Sequence, residues 1–263
     1  MESSVKYIHD EQAHNLQDPR IILPVIIDIL KPNSVIDIGC GIGTFLRICK
    51  EHGIDDIMGI DGPWVDKSLL SKNIPLSCFC EENLELGFHI SKKYDLAICL
   101  EVVEHLKEEA ADIIVESLIN ASDQILFSAA IPGQMGQNHL NEQWIGYWSN
   151  KFQKYGYQTY DVLRPVFWEH PELARWYKQN IFLISKLDYK DRLVKFKKLW
   201  TNDILNYVHP EYYAQRVNSI HLLQTTNASL KAELSGINNG EKSFVFYLKL
   251  TIKYLLHKLK FLK

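Results

Sequence analysis

Five short apolar runs, each ending at a glycine, an acid or a proline, recur through the first half of the chain and leave few folds open to it. They are SVIDI (34–38), IMGID (57–61), PLSCFC (75–80), YDLAICL (94–100) and QILFSAAI (124–131), the last stopping at Pro132–Gly133. Unbroken apolar runs rich in β-branched residues mark strands buried on both faces. Between them lie helical patterns: PRIILPVIIDILK (19–31) with Pro19 in its first turn, FLRICKEHG stopped by Gly53, a segment from about 102 to 121, and NEQWIGYWSNKFQKYG (141–156). YQTYDVLR and NIFLIS read as a final pair of strands. Such alternation predicts a parallel sheet covered on both faces by right-handed crossovers, a doubly wound α/β domain over residues 1–186. Ligands of such sheets bind at the carboxyl ends of the strands.

The totals fit a soluble globular chain: 263 residues, net charge −3, 46% hydrophobic and 23% charged. No run of eighteen apolar residues occurs. The start, MESSVKYIHDEQAHN, has neither a secretory core nor an arginine-rich transit pattern, so a cytoplasmic location is expected. Five cysteines, an odd number lying mostly in apolar runs, read as reduced core thiols.

After the first strand comes Asp37-Ile-Gly39-Cys-Gly41-Ile-Gly43-Thr. Glycines at alternate positions let a backbone approach a ligand and turn into a helix N-terminus. Thr44 stands where a dinucleotide fingerprint wants glycine, and Asp37 suits a cationic amino group better than a pyrophosphate. Asp61, ending the second strand, is placed to accept from ribose hydroxyls. The fourth strand runs into CLEVVEHL, with Glu101, Glu104 and His105 at i, i+3 and i+4. On a helix that spacing gathers one face. Two close carboxylates repel unless a proton or cation lies between them, and an imidazole beside them completes a hard donor set suited to Mg²⁺ or Mn²⁺. His139, in GQNHLNEQ after the fifth strand, belongs to the same rim and is a candidate fourth ligand. Metal-free acid–base use and a purely structural role remain alternatives for this cluster. Trp144, Tyr147 and Trp148 follow in one helix, where aromatic faces either stack on sugar rings or fill a core.

VIDIGCGIGTFL, GID with Asp61, ENLEL and YDLAICLEVVEHL resemble the class I S-adenosylmethionine-dependent methyltransferases, whose sheet is Rossmann-like. The resemblance implies that Gly39, Gly41 and Gly43 wrap the methionine part with Asp37 nearby, and that Asp61 and Gly62 hold the ribose. It also puts Asn83, Leu84 and Leu100 around the rest of the cofactor. Residues 124–148 resemble methyltransferases of bacterial glycan and surface-polysaccharide pathways. Glu-x-x-Glu-His followed later by His is similar to a metal site in ubiquinone-pathway catechol and small-RNA terminal methyltransferases. By that likeness Glu101, Glu104, His105 and His139 bind an ion, and Glu104, His105 or His139 handles the proton of an acceptor hydroxyl. The implied activity is O-methylation of a sugar or glycan precursor in polysaccharide biosynthesis. Metal-free methylation of a lipid, quinone or other small acceptor, and a non-catalytic cofactor-binding scaffold, are the alternatives. Nucleic acid is not expected as a partner of an acidic domain.

The end of the chain is a different material. From Lys242 to Lys263 there are six lysines and no acid, so the net charge of −3 divides into +6 there and −9 elsewhere. A helical extension is expected over 187–219. Ile220, Leu223, Asn227, Leu230, Leu234 and Ile237 form a short heptad seam within 220–240, consistent with a homodimer or with packing on the main domain. Residues 241–263 read as a basic amphipathic helix of the kind that lies on the inner face of an anionic membrane.

Overall fold

A computed structural model describes residues 14–186, 206–239 and 244–260. Two compact units divide the chain, Met1–His209 and Pro210–Lys263.

The first unit is a seven-stranded sheet in the order β3-β2-β1-β4-β5-β7-β6. Its strands are β1 (Ser34–Ile38), β2 (Asp56–Asp61), β3 (Phe79–Glu81), β4 (Leu96–Leu100), β5 (Gln124–Ser128), β6 (Gln158–Tyr160) and β7 (Phe182–Ser185). β1 and β4 are buried at every residue, as their uninterrupted apolar runs require. Helices α1 (Gln17–Leu30), α2 (Thr44–Glu51), α4 (Ala111–Ala121) and α5 (Ile145–Gln153) cover the faces. Shorter helices, α3 (Lys67–Leu70), α6 (Arg164–Phe167) and α7 (Arg175–Asn180), join the remaining strands. One apolar cluster packs α1 and α2 on one side of the sheet; a second packs α4 and α5 on the other.

Two expectations are corrected. The sheet is mixed: β7 lies between β5 and β6 and runs antiparallel to both. An apolar run specifies burial but not direction, so NIFLIS carried no sign of this. The segment after β4 is not one helix from 102. Glu101 takes a left-handed φ of 54°. Single 3₁₀ turns at Val103–His105 and Glu108–Ala110 then precede α4. The first of these turns ends in extended backbone at Leu106.

In the second unit α8 (Pro210–Asn238) is one continuous helix of 29 residues, and α9 spans Phe244–Lys260. The start of the expected 187–219 extension, through residue 205, lies outside the described residues, and its end falls within α8. Among the described residues no helix is long and apolar enough to cross a membrane.

Candidate active site

The parallel register of β2, β1 and β4 brings the ends of these strands to one edge. Gly39, Gly41 and Gly43 all adopt positive φ. At Gly39 the requirement is double, because an added Cβ would also come within 2.3 Å of Val102. Gly43 is the N-cap of α2, so the loop delivers its amides and the positive end of that helix to this edge. Asp37 is fully buried beneath the loop; burial and then the neighbouring Asp61 push its carboxyl up to about 8. A cationic group brought alongside would draw that proton off. Asp61 is also raised by burial, against the pull of its hydrogen bonds. The Gly41 amide donates to its Oδ2 at 2.8 Å and the Gly62 amide to its Oδ1 at 2.6 Å. Trp64 lies directly over Gly62, where a Cβ would meet the indole at 2.3 Å. Asn83 caps the turn after β3, its Oδ1 accepting from the Glu85 amide. Leu84 and Leu100 are buried apolar walls.

Beyond β4 the acidic fragment splits in two. Glu101 points towards amide side chains: Asn180 donates to its Oε1 at 3.0 Å and Gln134 to its Oε2 at 2.7 Å. Asn180 also donates to Gln134 Oε1, closing a triangle. Burial raises the Glu101 carboxyl, and these donors hold it down. Glu104 and His105, consecutive on the 3₁₀ turn, gather with His139 instead. One donor atom from each of the three lies within 4.8 Å of the others, and Glu101 is not in this group. The rings of His105 and His139 meet edge-on at 4.9 Å. His139 reaches them because the amides of Leu140 and Asn141 both donate to the Glu104 carbonyl, at 2.7 and 3.0 Å.

Glu104 is 0% exposed, and neither of its carboxylate oxygens has a well-formed hydrogen bond among the described residues. Burial, then the charge of Glu101, drives its pKa well above the ordinary carboxylate range. Burial and the nearby His139 lower His105 to about 4, so it is neutral at pH 7. An orphaned buried carboxylate next to two imidazoles is the arrangement a hard divalent cation satisfies. The residues present therefore fit such an ion through Glu104, His105 and His139.

The aromatic trio is not one surface. Trp148 is fully buried against Phe127 and belongs to the core, which corrects its expected place in acceptor binding. Tyr147 packs edge-on against Trp148 with Lys151 over its ring. Trp144 lines a small recess with Arg164, Gln179, Asn180 and Tyr207. Sequence reasoning missed Gln134, Asn180 and Glu142: the first two meet Glu101 from 33 and 79 residues away, and Glu142, three residues from His139, stands in a loop with no periodic pattern.

The sequence profile described as a methyltransferase domain matches residues 12–170. The sugar N-methyltransferase KedS8 from a Streptoalloteichus species superimposes with a TM-score of 0.53 at 10% identity, covering 72% of this chain and 96% of that one. DesVI of Streptomyces venezuelae gives 0.52 at 14% identity, over 69% of this chain and 100% of its own. Magnesium protoporphyrin IX methyltransferase of Synechocystis with bound S-adenosylhomocysteine gives 0.50 at 18%, over 69% and 89%. These likenesses establish a shared fold. No curated protein sequence matches the chain. The chain belongs to the methyltransferase domain family and is a class I, S-adenosylmethionine-dependent methyltransferase.

Proposed function

We propose that the protein is an O-methyltransferase for a hydroxyl of a sugar or glycan precursor, assisted by a divalent ion held by Glu104, His105 and His139. The observation that carries this reading is the fully buried Glu104 carboxylate, without a well-formed hydrogen bond and within reach of two imidazoles on the rim beside the glycine loop. S-adenosylmethionine supplies the electrophilic methyl group, and an ion at the cluster would lower the pKa of a hydroxyl beside it. The chain's own residues do the rest. Gly39, Gly41 and Gly43 admit the methionine part of the donor, Asp37 offers a counter-charge to its amino group, and Asp61 with Gly62 takes the ribose. Asn83, Leu84 and Leu100 bound the remaining cofactor surface. The hydroxyl proton passes to a Glu104 carboxylate oxygen that the ion leaves free or, in the metal-free alternative, to His139. Holding the oxygen in line with the methyl accounts for ~7–11 kcal/mol of barrier in well-oriented systems. Trp144 and Tyr147 provide aromatic surface suited to a sugar ring.

Calorimetric titration with S-adenosylmethionine, with Mn²⁺ or Mg²⁺ and with EDTA, tests the two binding sites separately. Radiolabelled methyl transfer to a panel of glycans tests the acceptor class. Cofactor binding without ion binding, and label passing only to lipid or quinone acceptors, would replace this reading with a metal-free one.

The second unit supports a location at a membrane surface. In α9 Val245, Leu248, Leu250 and Ile252 are exposed alongside Lys249 and Lys253, the make-up of an interfacial helix. Removing residues 241–263 is expected to shift the protein from anionic vesicles to the supernatant in a flotation assay. In α8 Ile220, Leu223, Leu230 and Leu234 are exposed along the heptad seam that contains Asn227, which suits pairing with a second copy. Sedimentation of the intact chain as a dimer is the expected result.

A further inference from the structure

We propose that Glu142 is a positioning residue of this site: its carboxylate fixes the ring proton of His139 on Nδ1, so that His139 joins Glu104 and His105 through Nε2. The proposal rests on the three-residue cluster described above and concerns how one of its members is held.

His139 sits in a loop of unusual backbone, with positive φ at Gly133, Met135 and Asn138. Left-handed conformations at non-glycine residues persist only where surrounding contacts over-determine them. Glu142 supplies those contacts. Its Oε2 accepts from the Gly133 amide at 2.6 Å, and its Oε1 from the Met135 amide at 2.6 Å. The same Oε1 lies 2.8 Å from His139 Nδ1. One side chain thus ties the beginning, middle and end of the loop.

The direction of the histidine bond follows from the partners. A carboxylate that already accepts two backbone amides is an acceptor on both oxygens, so the third contact must come from a donor. Both Glu142 oxygens are occupied as acceptors by the Gly133 and Met135 amides, and Oε1 faces the His139 ring as well. Nδ1 therefore carries the hydrogen, and in the neutral ring the lone pair falls to Nε2. That nitrogen lies over Gly136, where an added Cβ would come within 2.2 Å. Glu142 behind and Gly136 beside it fix the ring, and the Glu104 carbonyl fixes the backbone next to it. A carboxylate behind an imidazole is the arrangement that sets ring orientation and raises ligand basicity at many metal sites.

The test reads the tautomer directly, on the intact ligand-free chain, by two-bond ¹H–¹⁵N spectra of labelled histidine. The His139 signal is assigned by its loss in His139→Gln. The wild-type protein is expected to show the Nδ1-protonated pattern, and Glu142→Ala to lose it while the other histidine signals stay in place. Should Glu142→Ala disorder the fold, Glu142→Gln is read instead. Its amide oxygen can still accept from Nδ1, but the group is neutral and its NH₂ faces the Gly133 amide, so the Nδ1-protonated population is expected to fall. An Nε2-protonated wild type, or a pattern unchanged in the variant, overturns the proposal. In a parallel titration Mn²⁺ affinity is expected to fall about 10–100-fold in the variant, with affinity for S-adenosylmethionine unchanged. Mn²⁺ affinity that survives the altered tautomer overturns the functional half. A wild type that binds no Mn²⁺ counts against the metal reading of the previous section, and the tautomer alone then decides the role of Glu142.

Discussion

Glu104 and His105 are neighbours in sequence whose buried charges pull the pH dependence of stability in opposite directions. The Glu104 carboxyl keeps its proton in the folded chain to a higher pH than in the unfolded one. The folded state therefore binds more protons, and stability falls as pH rises past the ordinary carboxylate value. Replacing Glu104 by Gln removes the charge but not the volume. It is expected to stabilise the ligand-free protein by about 1–3 kcal/mol at pH 8, and much less at pH 4, in urea unfolding. The same change should abolish stabilisation by Mn²⁺. His105 behaves in the reverse sense. With its folded value lowered to about 4, stability is complete above the unfolded value of 6.5 and is lost as pH falls through the interval below it. The whole interval corresponds to about 3 kcal/mol. His105→Asn is expected to flatten the acid limb of a midpoint-versus-pH curve, and an unchanged limb would show that the ring is not buried neutral. Glu101 is held by Asn180 and Gln134 yet stays close enough to raise the Glu104 carboxyl. Spacing could not reveal that arrangement: Glu101 takes a left-handed φ at a non-glycine residue, which the pattern Glu-x-x-Glu-His does not encode.

At the scale of elements, sequence carried what burial dictates and lost what backbone turns and strand directions add. β1, β4 and β5 fall inside the runs SVIDI, YDLAICL and QILFSAAI, and β2 exceeds IMGID by one residue, Asp56. Each of these strands lies in the middle of the sheet, and an unbroken apolar run is the direct sign of that. β7 is equally apolar, yet its direction depends on how α6 and α7 return the chain, and neither of those short helices leaves a periodic mark. The helix after β5 shows a signal that aromatic content obscured. Ile145, Trp148 and Phe152 are its buried residues and recur at intervals of 3 and 4, the spacing of a core-facing stripe. Trp148 is part of that stripe. Trp148→Ala is accordingly expected to cost about 3–5 kcal/mol of folding free energy by denaturant titration. Affinity for S-adenosylmethionine, measured where the variant remains folded, should stay within a few-fold of the parent. A variant of full stability would return Trp148 to the list of acceptor contacts.

For the whole molecule, the two compact units differ in what their apolar residues do. All seven strands and both apolar clusters are drawn from Met1–His209, with Leu183 and Ile184 the last core residues of the sheet. The segment just beyond is secured within that unit: Gln179 donates to the Tyr207 carbonyl at 2.8 Å and accepts from the His209 amide at 2.6 Å. Trp168 packs against both Tyr207 and His209. Helix α8 instead leaves Leu222, Leu223, Leu230 and Leu234 exposed. Burial of apolar area is the dominant favourable term in folding, so the sheet unit should hold its own stability while the second unit adds surface chemistry. A chain ended after His209 is expected to unfold in one cooperative transition and to bind S-adenosylmethionine as tightly as the full chain, while losing both self-association and attachment to anionic vesicles. Ending the chain before Tyr207 removes the Gln179 clamp and the Trp168 stack together, and should lower the midpoint relative to the His209 truncation. Equal midpoints for the two truncations would mean that the 207–209 segment is carried by the fold without contributing to it.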